Sequence, residues 1–222
     1  MIVGEQKPIA EIKEMVAPYR NILVLGCGTC VKTCFAGGED ETAVLASALR
    51  LVFKKEGREA RVSELTVERQ CEDEFIQEAS AAVSENDCVL SLACGAGVQA
   101  IARRFGGNVI LPGVNTTFIG VLEKQGLFTE ECAGCGNCKL DVYGAVCPVT
   151  RCAKKLLNGP CGGSQNGKCE VNPETECAWQ LIIDRLKVLG QLNNLRAYIP
   201  PKDWRTSLAG GPRKLVREDH IL

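Results

Sequence analysis

Cysteine content constrains this chain more than any other feature. The sequence contains 14 cysteines in 222 residues but one histidine, His220. Eight of the cysteines fall in residues 132–177, a segment rich in Gly, Asn and Pro and poor in large apolar side chains. Such a segment buries too little apolar surface to fold unaided, so bound metal is the natural source of its stability.

Several functional classes are excluded at this stage. The N-terminus shows no secretion signal, which predicts a cytoplasmic protein with reduced thiols rather than a disulfide scaffold. No apolar run reaches the ~18 residues of a membrane helix, so no membrane insertion is expected. The net charge of −1 disfavours nucleic acid as a partner. A single histidine leaves no Ser-His or Cys-His pair, so no catalytic residue is predicted.

Strand-like and helix-like segments alternate through the first ~130 residues. This alternation predicts an α/β fold with a doubly wound, mostly parallel sheet. A Cys-rich metal-binding region, a helix at 175–189 and an extended tail are expected to follow. The predicted domains are 1–130, 131–192 (metal-cluster region and helix) and 193–222 (tail). The predicted strands are 22–25, 59–65, 87–93 and 109–111, and the predicted helices are 39–55, 73–84 and 98–104.

The loops that follow the predicted strands carry a first group of cysteines. Cys27, Cys30 and Cys34 follow the first strand, and Cys94 follows the third. Because functional loops gather at the carboxyl ends of parallel strands, these four residues are predicted to form a metal site. Cys88 lies in an apolar strand and is expected in the core.

Two other interpretations of these loops stay open. Cys27 and Cys30 could form a thiol–disulfide pair, with a helix N-terminus lowering a thiol pKa. The pattern Gly95-x-Gly97-x-x-Ala100 matches a loose dinucleotide-binding fingerprint, which is weak evidence by itself. Cys71 has no assignment from the sequence.

The most specific motif is Cys132-x2-Cys135-x2-Cys138, followed by Cys147-Pro148. Thiolates at this spacing can all ligate one iron–sulfur cluster, as in ferredoxins. The last gap is eight residues rather than three, so the match is partial. A [4Fe-4S] cluster is predicted here, with a four-thiolate zinc site as the alternative.

Four further cysteines suit a second site. Cys152, Cys161, Cys169 and Cys177 are spaced nine, eight and eight residues apart. Either a second cluster or zinc fits four thiolates. The spacing does not show which cysteine joins which site, because ligands interleave in two-cluster ferredoxins.

The run from Cys132 to Trp179, including Asn158-Gly-Pro-Cys-Gly-Gly163 and Cys147-Pro-Val-Thr-Arg-Cys152, resembles a known family. It is similar to the small iron–sulfur or zinc subunit, or C-terminal domain, of acetogen-type methylenetetrahydrofolate reductase. The N-terminal Gly-Cys-Gly-Thr-Cys30 also resembles it.

The resemblance implies an electron-transfer subunit in one-carbon metabolism, within the Wood–Ljungdahl pathway. Its expected partner is a catalytic barrel subunit that carries FMN or FAD, and further electron-donor subunits are possible partners. The flavin is expected on the barrel subunit and not here, so this chain alone is expected neither to bind flavin tightly nor to reduce the folate. Two alternatives stay open: a zinc-stabilised assembly subunit of the same complex, and a Cys-x2-Cys thiol oxidoreductase.

Overall fold

The computed structural model describes residues 1–220. The chain forms two compact units, residues 1–128 and 129–222. Each is described by itself below. No helix in residues 1–220 is both long and apolar enough to cross a membrane.

A four-stranded parallel sheet organises the first unit, with strand order β3-β2-β4-β5. The central strand β2 is apolar after its first residue, Asn21, and residues 22–25 are fully buried, as expected of a strand covered on both faces. All four strands coincide with predicted strands, which confirms the α/β prediction. The strands are β2 (Asn21–Cys27), β3 (Arg61–Val67), β4 (Cys88–Ser91) and β5 (Val109–Pro112).

Helices and apolar clusters lie on both faces of this sheet. Ile22 and Val24 pack on one side with Leu49, while Leu23 and Leu25 pack on the other with Ile101. This alternation is the period of two that a strand imposes on its side chains. The helices of this unit are α1 (Ile9–Val16), α2 (Cys30–Thr33), α3 (Glu39–Lys55), α4 (Asp73–Glu78), α5 (Ser80–Ser84) and α6 (Gly95–Arg104).

A second, antiparallel sheet was not predicted. It has the order β1-β6-β7, from β1 (Ile2–Gln6), β6 (Val114–Lys124) and β7 (Leu127–Cys132). Most side chains of β6 are exposed, so its apolar alternation is weak. Its pairing with β1 joins residues more than a hundred positions apart, which no local pattern reveals.

One predicted helix is interrupted. Residues 73–84 form two short helices, α4 and α5, that meet at Ala79. The hydroxyl of Ser80 donates to the Gln77 carbonyl at 2.7 Å, and that of Ser84 donates to the Ser80 carbonyl at 2.8 Å. Serine hydroxyls that bond nearby carbonyls compete with the helical backbone pattern.

The second unit has a small core. Tyr143, Trp179, Ile182 and Leu186 are buried together, the last three on the helix predicted at 175–189. The helices here are α7 (Pro148–Arg151) and α8 (Ala178–Val188). The tail carries short 3-10 turns rather than one extended run, at Leu192–Arg196, Trp204–Thr206, Leu208–Gly210 and Glu218–His220.

Candidate metal centres

One cavity of the second unit gathers the four cysteines of the most specific motif. Cys132, Cys135, Cys138 and Cys147 all line a cavity of about 460 Å³. Cys132 ends β7, and Cys147 is the N-cap of α7 with Pro148 at the first helical position. Proline fits that position because its fixed φ is already helical and its missing N–H has no intrahelical partner to lose. The fold therefore presents the four thiols to one space.

The C-terminal tail forms another wall of this cavity, through residues 199–203. Just beyond them, the Thr206 hydroxyl donates to the Cys135 carbonyl at 2.8 Å, and Arg213 Nη1 donates to the Gly134 carbonyl at 3.2 Å. A Cβ atom on Gly136 would lie 2.1 Å from the Thr206 carbonyl oxygen. Glycine at 136 is thus what lets the tail pack on the cysteine loop.

Lys202 is the unusual member of this cavity's lining. Its Nζ is buried and has no hydrogen-bond partner among the described residues, and it lies 5.4 Å from the centroid of the Trp204 ring. Asp203 is the acidic neighbour on which the Lys202 charge acts, but it forms no hydrogen bond with the ammonium, and a buried ammonium without a hydrogen-bonding partner is costly. A thiolate-ligated cluster is an anionic group of the required size, and the residues present therefore fit it.

A second cavity of this unit gathers the other four cysteines. Cys152, Cys161, Cys169 and Cys177 line a space of about 20 Å³. Two backbone bonds hold the loop that carries them: Cys169 N–H donates to the Thr175 carbonyl at 2.9 Å, and Cys177 N–H donates to the Gly167 carbonyl at 2.7 Å. The eight cysteines thus separate into two sets that do not interleave.

A charged pair lies beside this second set. Lys154 and Glu170 form an ion pair, and both line the cavity. The hydrogen bond with Glu170 raises the pKa of Lys154, and the neighbouring Cys161 and Cys169 raise it further. The pKa of Glu170 is lowered by its hydrogen bonds with Lys154 and with Cys161. Lys154 therefore supplies a positive charge next to two of the thiols.

The two cavities differ in the kind of group they suit. A space of about 20 Å³ is on the scale of a single ion or water molecule, since a cavity needs about 10–15 Å³ to hold one water. The first cavity is far larger and suits a group of several atoms. Within residues 1–220, no three histidine, cysteine or acidic side chains are grouped so that they could hold a metal ion.

In the first unit, Cys34 turns into the hydrophobic core, and Cys30 is the predicted ligand whose charge acts on it. The Cys34 Sγ accepts a hydrogen bond from Gly4 N–H and donates to the Gly4 carbonyl, both at 3.4 Å, so it faces β1. It belongs to the hydrophobic core, and burial raises its pKa. Cys27 ends β2, Cys30 begins α2, and Cys94 is the N-cap of α6.

Cys71, unassigned from the sequence, lies near two of these residues. Partial desolvation raises the pKa of the Cys71 thiol, although the residue as a whole is exposed, and the neighbouring Cys27 and Cys94 raise this pKa further. The signal was available, because Cys71 closely follows a predicted strand and so lies at the same sheet edge. Cys88 is fully buried in β4, as expected for a core residue, and burial raises its pKa to about 12.

Comparison with known proteins gives one match. Residues 111–205 match a protein family described as methylene-tetrahydrofolate reductase C terminal. The matched segment contains both cysteine sets of the second unit and supports a protein related to methylenetetrahydrofolate reductase. No curated protein and no solved structure matches the chain.

Proposed function

We propose that this chain is an iron–sulfur electron-transfer subunit of a methylenetetrahydrofolate reductase complex, passing electrons to the flavin of a catalytic barrel subunit. The observation that carries the proposal is the first cavity, where four motif cysteines lie with a lysine whose buried Nζ has no hydrogen-bond partner among the described residues. The family match supplies the context of the complex.

The first cavity has the properties that a [4Fe-4S] cluster needs. When bound, such a cluster gains and loses single electrons. Cys132, Cys135, Cys138 and Cys147 would ligate it, and the tail would exclude water from it. The Gly134 N–H already donates to Cys132 Sγ at 3.4 Å, and backbone donors to ligand sulfurs tune the reduction potential.

Among the described residues, no three cysteine, histidine or acidic side chains are grouped around one metal-ion position. This does not argue against a cluster in the first cavity. A cluster contributes its own irons and bridging sulfides, so its thiolate ligands surround a volume instead of converging on one point. Four cysteines that line one cavity of about 460 Å³ suit that arrangement.

For the second cavity we propose a structural zinc ion held by Cys152, Cys161, Cys169 and Cys177. Its small volume suits one ion, and Lys154 would offset part of the thiolate charge. Zinc binding would draw the four sulfurs inward, since zinc–sulfur bonds are about 2.3 Å long. The small core of this unit makes such a contribution to folding valuable.

Hydride chemistry is assigned to another chain. The parallel sheet in residues 1–220 is open and four-stranded, unlike the closed eight-stranded sheet of a βα barrel. The barrel subunit would bind the flavin, FMN or FAD, together with the folate, while this chain would deliver electrons from a donor.

A zinc-stabilised assembly subunit is the second candidate, favoured by the small core of the second unit. A thiol oxidoreductase is disfavoured, because Cys27 is only 7 % exposed and an attacking thiol needs access to its substrate.

Metal and sulfide analysis of two matched variants tests the proposal. In the anaerobically purified full chain, Cys132→Ser should lose about four irons and four sulfides while keeping zinc. Cys169→Ser should lose zinc while keeping iron and sulfide. A wild-type chain with zinc but without acid-labile sulfide and visible absorption would overturn the electron-transfer role and favour the assembly subunit.

A further inference from the structure

A buried glutamine joins three strand ends of the parallel sheet in the first unit. Gln70 is fully buried, and its Nε2 donates to the carbonyls of Leu25 and Gly26 at 2.8 and 2.9 Å. Its Oε1 accepts a hydrogen bond from the Ser91 hydroxyl at 2.6 Å. One side chain thus fixes the carboxyl ends of β2 and β4 to the loop that leaves β3.

Each of three residues in this hydrogen-bond network, Gly26, Gln70 and Ser91, is followed by a cysteine within three positions along the chain. These cysteines are Cys27, Cys71 and Cys94. The Sγ of Cys27 lies 3.8 Å from the carbonyl oxygen of Glu68, in the loop that leads to Cys71. The first turn of α6, which Cys94 caps, also packs on Gln70, because a Cβ on Gly97 would lie 3.0 Å from the Cβ of Gln70.

Cys34 is left out of this group because its sulfur hydrogen-bonds to β1, although the charge of Cys30 acts on it. It is 9 % exposed, and its sulfur is engaged with Gly4 of β1. Cys71, by contrast, is exposed, and Cys27 and Cys94 are the two cysteines whose charges act on it. Cys30 is partly exposed and stands three residues after Cys27, at the start of α2.

We propose that Cys27, Cys30, Cys71 and Cys94 form a second iron–sulfur site at the carboxyl edge of the parallel sheet, with Cys71 in the place that the sequence assigns to Cys34. Cys27, Cys71 and Cys94 lie at or just after strand ends that the buried Gln70 side chain holds together, and Cys30 completes a Cys-x2-Cys pair with Cys27.

A cluster suits this group better than a single ion does. The described part of the chain contains no three side chains grouped around one ion position, and a cluster accommodates more widely spaced sulfurs. The N-terminus of α6, a helix of ten residues, adds positive partial charge beside Cys94, which favours its thiolate. The inference concerns the first unit and stands independently of the cavity in the second.

The test compares two cysteine-to-serine variants of the full chain, purified without oxygen. The wild type should contain about eight irons and eight sulfides, and Cys71→Ser about half of each. Cys34→Ser should keep the full complement. Iron loss in Cys34→Ser but not in Cys71→Ser would restore the set inferred from sequence and overturn this proposal.

Folding and site assignment are separated in the same experiment. Cys71 is exposed, so Cys71→Ser should keep the wild-type far-ultraviolet circular dichroism spectrum, while its thermal midpoint falls because the bound cluster is lost. Cys94→Ser provides an independent second variant with the same expected iron loss.

The two iron sites can fail separately. A wild type with about four irons, all lost in Cys132→Ser, overturns this inference and leaves the proposed function intact. A wild type with about four irons, all kept in Cys132→Ser and all lost in Cys71→Ser, overturns the proposed cluster in the second unit and leaves this inference intact. A Cys71 disulfide with Cys27 or Cys94 in the anaerobically purified chain would also overturn the inference.

Discussion

The ring of Trp179 meets the ring of Tyr143 edge to face, with centroids 5.9 Å apart and planes at 85°. Tyr143 lines the larger cysteine cavity, and Trp179 lines the smaller one. Their polar atoms bond neighbouring carbonyls: Trp179 Nε1 donates to Leu156 at 3.0 Å, and the Tyr143 hydroxyl donates to Leu157 at 2.9 Å. The two aromatic residues therefore join the walls of both proposed metal sites.

Trp179→Phe should destabilise the second unit. The variant keeps an aromatic ring but leaves the Leu156 carbonyl without its donor and reduces the buried area, at a cost of about 1–3 kcal/mol. Chemical denaturation of the metal-loaded chain measures the effect. Tyr198→Phe is the control, because Tyr198 is 73 % exposed and its replacement should be nearly neutral. Equal denaturation midpoints for Trp179→Phe and Tyr198→Phe would contradict a stabilising role for the Trp179 ring and its hydrogen bond.

Lys202→Met should lower the reduction potential of a cluster in the larger cavity. Removing a buried positive charge favours the oxidised, less negative form, and a tenfold change in the redox equilibrium corresponds to about 60 mV for one electron. An EPR-monitored redox titration measures the shift. Lys139→Met is the matched control, since Lys139 lines the same cavity but is exposed and more strongly screened by water. A potential unchanged in Lys202→Met would show that its ammonium does not act on the cluster.

The parallel sheet could be predicted because its central strand has a recognisable apolar pattern within its own short segment of sequence. The run Ile22-Leu23-Val24-Leu25 is apolar at every position, as a doubly covered strand must be. The antiparallel sheet could not be predicted, because β1 and β6 are stabilised by pairing with each other and lie more than a hundred residues apart in the sequence.

In the cysteine sites too, local spacing could be read from the sequence, whereas contacts between distant residues could not. The spacing from Cys132 to Cys138 predicts that these thiols act together, and they do line one cavity. The roles that we propose for Cys34 and Cys71 depend on the direction in which each loop turns. That direction is set by contacts with Gly4 and by the buried Gln70, which neither spacing nor composition shows.

Asp87→Asn should alter the pH dependence of stability. The backbone N–H groups of Asn21 and Arg20 donate to Asp87 at 2.8 and 2.9 Å, and they lower the pKa of its carboxyl. A lowered folded-state pKa adds stability above the unfolded value of about 4, and this is lost as pH falls through the folded pKa. Wild type should therefore exceed Asp87→Asn in thermal midpoint at neutral pH and lose that advantage in acid.

Thermal melts of Asp87→Asn between neutral pH and pH ~3 measure this convergence. Glu85→Gln, on the same exposed loop, is the control and should follow the wild-type curve. A gap between wild type and Asp87→Asn that stays constant across this range would show that the carboxylate charge contributes nothing.

Gly136→Ala should open the larger cavity to solvent. Gly136 has φ +77°, and an added Cβ would meet the Thr206 carbonyl oxygen, so the variant combines backbone strain of about 1–2 kcal/mol with displacement of the tail. Gly162→Ala isolates the first effect, because Gly162 has φ +83° but open space around its Cβ position. Bleaching of the visible absorption in air measures cluster exposure. Gly136→Ala should bleach faster than both wild type and Gly162→Ala. Equal rates in the two variants would mean that backbone strain, and not the tail contact with Thr206, governs protection.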